Sequence, residues 1–177
     1  GSGVSQSGPI TVASLAVQAG GTVELLGNND ADTVALRTTG GNLLYHDVDG
    51  FTVASVVDVA GVSSNTGFVE LSATTGNVVV SNTSLVHDIE ATSYVNILLD
   101  GDEAMLTIAA GANVYGPNGA HSFHADKMDL QGTINANTMY LAPAHAGEAI
   151  NLGTVTDGMA NTLELSDAEL DRISAGW

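Results

Sequence analysis

Short bursts of alternating apolar and polar residues recur along the whole chain. Val23 and Leu25, Val34 and Leu36, Leu43 and Tyr45, Phe51 and Val53, Val57 and Val59, Val69 and Leu71, and Val78 and Val80 each flank one intervening residue. The pattern continues with Val95, Ile97 and Leu99, then Leu106 and Ile108, Met128 and Leu130, Met139 and Leu141, Ile150 and Leu152, and Leu163 and Leu165. A period of two is that of a strand with one buried face. Each burst supplies only two or three inward positions, fewer than an ordinary strand of about five or six residues offers. The pattern therefore predicts many very short strands around an aliphatic core, with Tyr and Phe at its wider points.

A corner motif punctuates them: a small residue or Thr, then Gly, then Gly or Asn, then a strand. It occurs as Ala19-Gly20-Gly21-Thr22-Val23, Thr39-Gly40-Gly41-Asn42-Leu43, Thr75-Gly76-Asn77-Val78 and Ala110-Gly111-Ala112-Asn113-Val114. The glycines at 20, 40, 76 and 111 are 20, 36 and 35 residues apart, which reads as one, two and two units of about 18–20. Units of that length are the mark of a solenoid, in which each coil buries its apolar edge against the next. A leucine-rich repeat would need Leu at fixed offsets, which are missing. A sandwich would need longer strand runs. The expected fold is all-β: a single-stranded, right-handed parallel β-helix of roughly seven to nine coils, with roughly 18–20 residues per coil.

Residues 1–8, opening Gly1-Ser2-Gly3, read as a cloning scar and flexible leader, and residues 9–177 as a β-helix segment excised from a longer protein. Ser166-Asp167-Ala168-Glu169-Leu170-Asp171-Arg172-Ile173 breaks the alternation. Ser166 as N-cap with Glu169 three residues on forms a capping box, so a short helix is predicted there. It would either close the open end of the β-helix or make a side excursion within the coil series. Ala175-Gly176-Trp177 looks like one more corner.

Composition narrows the chemistry. Against 20 Asp and Glu stand 3 Lys and Arg, for a formal net charge of −17, so there is no basic patch for nucleic acid. There is no Cys, hence no disulfide frame and no thiolate zinc site. No apolar run is long enough to span a bilayer as a helix. Charge of one sign keeps a long rod soluble and self-repelling.

Several constellations invite a functional reading. Asp47 with Asp49, or Asp100 with Asp102, alternate by two as a hydrolase pair would, but they sit beside Gly50 and Gly101 and read as turn formers. A polyanion lyase would also need a cation, and Arg37, Lys127 and Arg172 are scattered. Residues 27–34 (Gly-Asn-Asn-Asp-Ala-Asp-Thr-Val) half-match a calcium-binding β-roll repeat, and Tyr45-His46-Asp47-Val48-Asp49-Gly50 has alternating oxygens; each occurs once. His121, His124 and Asp126 make a minimal metal set, but their place after Gly116-Pro117-Asn118-Gly119 reads as a loop with solvated histidines. His46, His87 and His145 look isolated. No nucleophile elbow is present, and the Thr residues of the corners do not recur in register as an ice-binding row would require. The residues thus point to no catalytic, cofactor-binding or metal site, and to no enzyme.

The stretch from Gly8 to Trp177 resembles the β-helical repeats of filamentous-haemagglutinin-like bacterial exoproteins, the large adhesins exported by two-partner secretion. The resemblance lies in Gly8-Pro9-Ile10-Thr11-Val12, in the Thr39-Gly40-Gly41-Asn42-Leu43 corner, and in the segment from Leu163 to Ile173. It implies a right-handed parallel β-helix, a secreted or cell-surface location and an adhesive role. Its partners would be an outer-membrane transporter during export and a host or neighbouring-cell surface or glycan, with end-to-end self-association open to such a rod. The alternative expectation is a carbohydrate-active β-helix enzyme or glycan-binding module.

Overall fold

The computed structural model of the chain describes residues 1–154 and 158–175. Strands pair in parallel almost throughout and stack as a β-solenoid of about six turns. Each turn lays one short strand on each of three faces and changes direction at three corners.

The first face carries Val4–Ser5, the start of Val23–Thr38, Leu43–Asp47, Val69–Ala73, Val95–Leu99 and the ends of Asn113–His124 and Thr133–Ala142. The second carries the middle of Val23–Thr38, then Phe51–Val53, Val78–Val80, Met105–Ile108 and Lys127–Leu130. The third carries the end of Thr11–Ala19, the end of Val23–Thr38, Val62–Ser64, Ile89–Ala91, the starts of Asn113–His124 and Thr133–Ala142, and Ile173–Ala175.

Register turns the alternation into columns. Val23, Leu43, Val69 and Val95 lie over one another on the first face, and Val34, Val53, Val80, Ile108 and Leu130 on the second. On the third, Leu36, Val62, Ile89, Val114 and Ile134 do the same. These side chains are buried. Rungs about 4.8 Å apart leave no room for water between stacked aliphatics, and burial at ~25 cal/mol per Å² of apolar surface is the main stabilising contribution. Tyr45 and Phe51 fill a wider point edge to face, with ring centroids 5.0 Å apart.

The turn length differs from the expected one. Successive partners Val23, Leu43, Val69 and Val95 are spaced by 20 residues and then by 26 twice, so middle turns are longer and the count is about six rather than seven to nine. The four corner motifs occupy three different corners. Gly20 and Gly40 precede the first face, Gly76 the second, and Gly111 the third. Any corner wants a left-handed or side-chain-free residue, so the motif marks a turn without saying which one. At Gly76, with φ +71°, a Cβ would stand 1.7 Å from the Asp49 carbonyl oxygen of the turn before.

The extra residues of the middle turns leave the solenoid at the corner between the second and third faces. One excursion is the antiparallel hairpin Ser55–Val56 with Val59–Ala60, and the next turn sends out the loop 81–88. Val57 and Val59, expected to be inward, belong to that hairpin, and Val57 is 89% exposed.

Val4–Ser5 pairs with Val23–Glu24, so the presumed leader adds a strand to the first face. The helix Asp167–Leu170 forms with the capping box read from the sequence: the Ser166 hydroxyl accepts from Glu169 N, and the Glu169 carboxylate accepts from Ser166 N at 2.8 Å. Its other carboxylate oxygen accepts from Leu130 N at 3.0 Å, tying helix to ladder. Because Ile173–Ala175 then resumes the third face, the helix is a side excursion within the coil series. The Trp177 corner lies outside the described residues. Thr162–Leu165 is buried and lies against Lys127–Leu130, while Ala149–Leu152 pairs with it in parallel and leaves Ile150 and Leu152 51% and 63% exposed.

Candidate functional site

Residues between the core positions point outward, so register also builds surface files. On the third face Gln18, Arg37, Ser63, Glu90, Tyr115 and Asn135 stand in one file, a rung apart. The two excursions rise beside its Gln18, Arg37, Ser63 and Glu90 positions and make a groove there, lined further by Asp58 and Val59 of the hairpin and by Leu85, Val86 and His87 of the loop.

The walls are built by the sequence. Asp88, fully buried, anchors the loop: one carboxylate oxygen accepts from Thr83 N and Thr83 Oγ1, both at 2.6 Å, and the other from Asn113 N at 2.8 Å. The His87 ring stacks flat on Tyr115, with centroids 4.0 Å apart, and its Nδ1 lies 3.5 Å from the Glu90 carboxylate. The hairpin turns at Val57 with φ +53°, and Val86 on the loop is 80% exposed. The groove thus has a polar floor repeating at the strand spacing, with the His87 ring and apolar rims beside it.

The residues singled out in the sequence fall elsewhere. Asp47 points inward, where one carboxylate oxygen accepts from the Tyr45 hydroxyl at 2.6 Å and Ala31 N at 3.1 Å, and the other from Asp49 N at 3.2 Å. Burial, and then the Asp47 carboxylate, hold the Tyr45 hydroxyl far above its ordinary range. Asp47 is thus a corner clamp with its oxygens already taken, in keeping with the turn-former reading. Asp49, Asp100 and Asp102 are exposed at corners. Asp30 and Asp32 lie within the long strand Val23–Thr38. A row of Thr33, Thr52 and Thr107 does line up on the second face, contrary to expectation, with Val79 interrupting it and no second Thr file beside it.

The histidines need correction. His121 is a fully buried strand residue between Val95 and Met139, not a solvated turn residue. Its Nδ1 accepts from Val95 N at 3.2 Å, and burial pushes its pKa down to about 4, so the ring is neutral. His124 points to the opposite side and meets Ser122 Oγ at 2.8 Å. The two therefore do not converge with Asp126. Asp126 is met instead by His145, whose Nδ1 lies 2.8 Å from Oδ2, and by Glu148. No sequence signal links these, since Asp126 belongs to one turn and the 143–148 segment to the next. Lys127, read as one of three scattered cations, is buried and committed: Nζ donates to the carbonyls of Met159 and Thr162 and pairs with Glu103 at 3.3 Å.

No family model, curated protein or solved structure matches this chain.

Proposed function

We propose that this chain is a structural and adhesive segment of a large secreted or surface-attached bacterial exoprotein, a stiff rod whose third-face groove holds an extended glycan. The observation that carries the reading is the file Gln18–Arg37–Ser63–Glu90, flanked by the only two excursions that leave the middle turns at that corner. An unbroken parallel ladder supplies the stiffness, because bending it would break stacked columns and backbone hydrogen bonds together. The resemblance to filamentous-haemagglutinin-like repeats, and with it export through an outer-membrane transporter, rests on the residues quoted for it above.

Catalysis is not part of the proposal. Asp126 and Glu148, the carboxyl pair that the fold brings together, lie at the corner between the first and second faces, away from the third-face groove.

The test is binding of the protein to an array of oligosaccharides, with Arg37→Ala and Glu90→Ala beside it. Retention of extended glycans by the parent, at least tenfold weaker retention by both variants and unchanged melting would support the reading. Binding to no glycan, or equal binding by all three proteins, would overturn the groove; release of reducing ends would make the protein an enzyme instead.

A further inference from the structure

The corner between the first and second faces brings together three donors from two turns. Asp126 lies in the corner between Asn113–His124 and Lys127–Leu130, and the segment Pro143-Ala144-His145-Ala146-Gly147-Glu148 of the next turn folds over it. Asp126 is fully buried and fixed by backbone donors: Glu103 N donates to Oδ2 at 3.0 Å, while Ala144 N and His145 N donate to Oδ1 at 3.1 and 3.3 Å. A tight turn, with Gly147 at φ +95°, returns the chain so that His145 and Glu148 reach the same carboxylate. One atom each of Asp126, His145 and Glu148 lies within 4.8 Å of the other two.

The arrangement is incomplete as it stands. Glu148 Oε2 is shielded from solvent and has no hydrogen-bond donor among the described residues, and the Glu148 carboxyl lies against the buried Asp126 carboxylate, with room between them for a shared proton or a cation. Two carboxylates in contact need something positive between them. His145 supplies part of this from one side, and its side chain is 44% exposed, which leaves the cluster open to solvent there. Glu103 is not available to help, since its oxygens are taken by Asn161 N at 2.8 Å and Lys127 at 3.3 Å.

We propose that Asp126, His145 and Glu148 bind a divalent first-row transition metal, of which Zn²⁺ is the natural probe. One imidazole nitrogen with two carboxylates is a zinc-type donor set, whereas calcium wants six or more oxygens and would gain nothing from His145. The backbone donors on Asp126 act as the outer shell that holds a ligand in place. The His145–Asp126 hydrogen bond at 2.8 Å opens by a few tenths of an ångström to admit an ion. A metal needs the imidazole nitrogen free of its proton and the carboxylates ionised, so binding releases protons and tightens as pH rises. The ion would pin the 143–148 segment onto the preceding turn, tying neighbouring turns together at this corner.

Isothermal titration of the whole chain with ZnCl₂ tests this, alongside CaCl₂ and the variants His145→Ala and Glu148→Gln. Both variants alter surface-segment side chains that take no part in the core columns, and circular dichroism checks their fold. The expected result is one saturable Zn²⁺ per chain, proton release, a Zn²⁺-dependent rise in melting temperature reversed by EDTA, and a Kd at least tenfold weaker in each variant. No saturable binding, or Zn²⁺ binding that both variants retain in full, would overturn the site. So would Ca²⁺ binding as tight as Zn²⁺, which would mean a diffuse acidic surface.

Discussion

The ring of His121 occupies the space that a side chain at Gly116 would need: a Cβ there would stand 2.3 Å from His121 Cε1. Gly116 sits on the third face and His121 at the start of the first, with Pro117-Asn118-Gly119-Ala120 between them. The two residues close one corner from inside, glycine making room and imidazole filling it. Gly116→Ala should therefore cost about 1–3 kcal/mol, the range for overpacking a filled core. Urea unfolding measures it. A loss below about 0.5 kcal/mol would show that the ring has room to move.

Acid should weaken the fold through the same imidazole. The folded-state pKa of His121 is about 4, below the ordinary value of 6.5, because burial opposes the charged ring. Below 6.5 the unfolded chain takes up a proton that the folded chain refuses, so stability falls as pH drops from 6.5 towards 4. The size is on the order of 2–3 kcal/mol. His145 acts in the opposite sense: its pKa is raised by Asp126, so its contribution is present in acid and fades as pH rises through that higher value. Comparing the parent with His121→Leu at pH 7 and pH 4.5 separates the two. The parent should lose stability more steeply than the variant; parallel losses would remove His121 as the cause.

The His121 case also shows where sequence reading stops. Alternation located most of the core: Val23, Leu43, Val69, Val95 and Ile97 are inward as expected. The same alternation, started from the buried Phe123, puts His121 inward, whereas the preceding Gly-Pro-Asn-Gly has the composition of a loop. Turn length was not readable in the same way. Gly20, Gly76 and Gly111 serve different corners with the same chemistry, and the excursions at 55–60 and 81–88 lengthen two turns without changing the inward pattern. The meeting of His145 with Asp126 depends on how many residues make one lap, which the alternation does not encode. The inward Asp47, Asp88 and Asp126 share a cause: each tight corner leaves backbone N–H groups turned inward, and a short carboxylate satisfies them.

Lys127 should act as a local staple. Its ammonium is buried and joins the carbonyls of Met159 and Thr162 to the Glu103 carboxylate, so that together with the Asn161 N–Glu103 hydrogen bond it ties the Glu103 corner to the 159–162 stretch. Lys127→Met keeps the stem and removes the donors, leaving two carbonyls and a carboxylate short of partners at about 1–3 kcal/mol in total. The effect should be regional. Amide exchange should accelerate over residues 158–165 and stay unchanged in Leu43–Asp47 and Val69–Ala73, which are turns away. Uniform acceleration, or none, would contradict a staple.

Val57 stores strain at the rim of the groove. It is the first of two residues linking Val56 to Val59, which pair in antiparallel register, and its φ of +53° is the left-handed region that a β-branched side chain resists. A two-residue hairpin with a positive φ at that position favours Gly. At 89% exposure the side chain has little packing to lose. Val57→Gly should therefore be neutral to stabilising, by up to about 1 kcal/mol, seen as a small rise in melting temperature. If the apolar rim also grips a ligand, the same variant should bind the glycan more weakly while melting no lower. A clear drop in melting temperature would mean that Val57 packs against something after all and that its backbone is held there for stability.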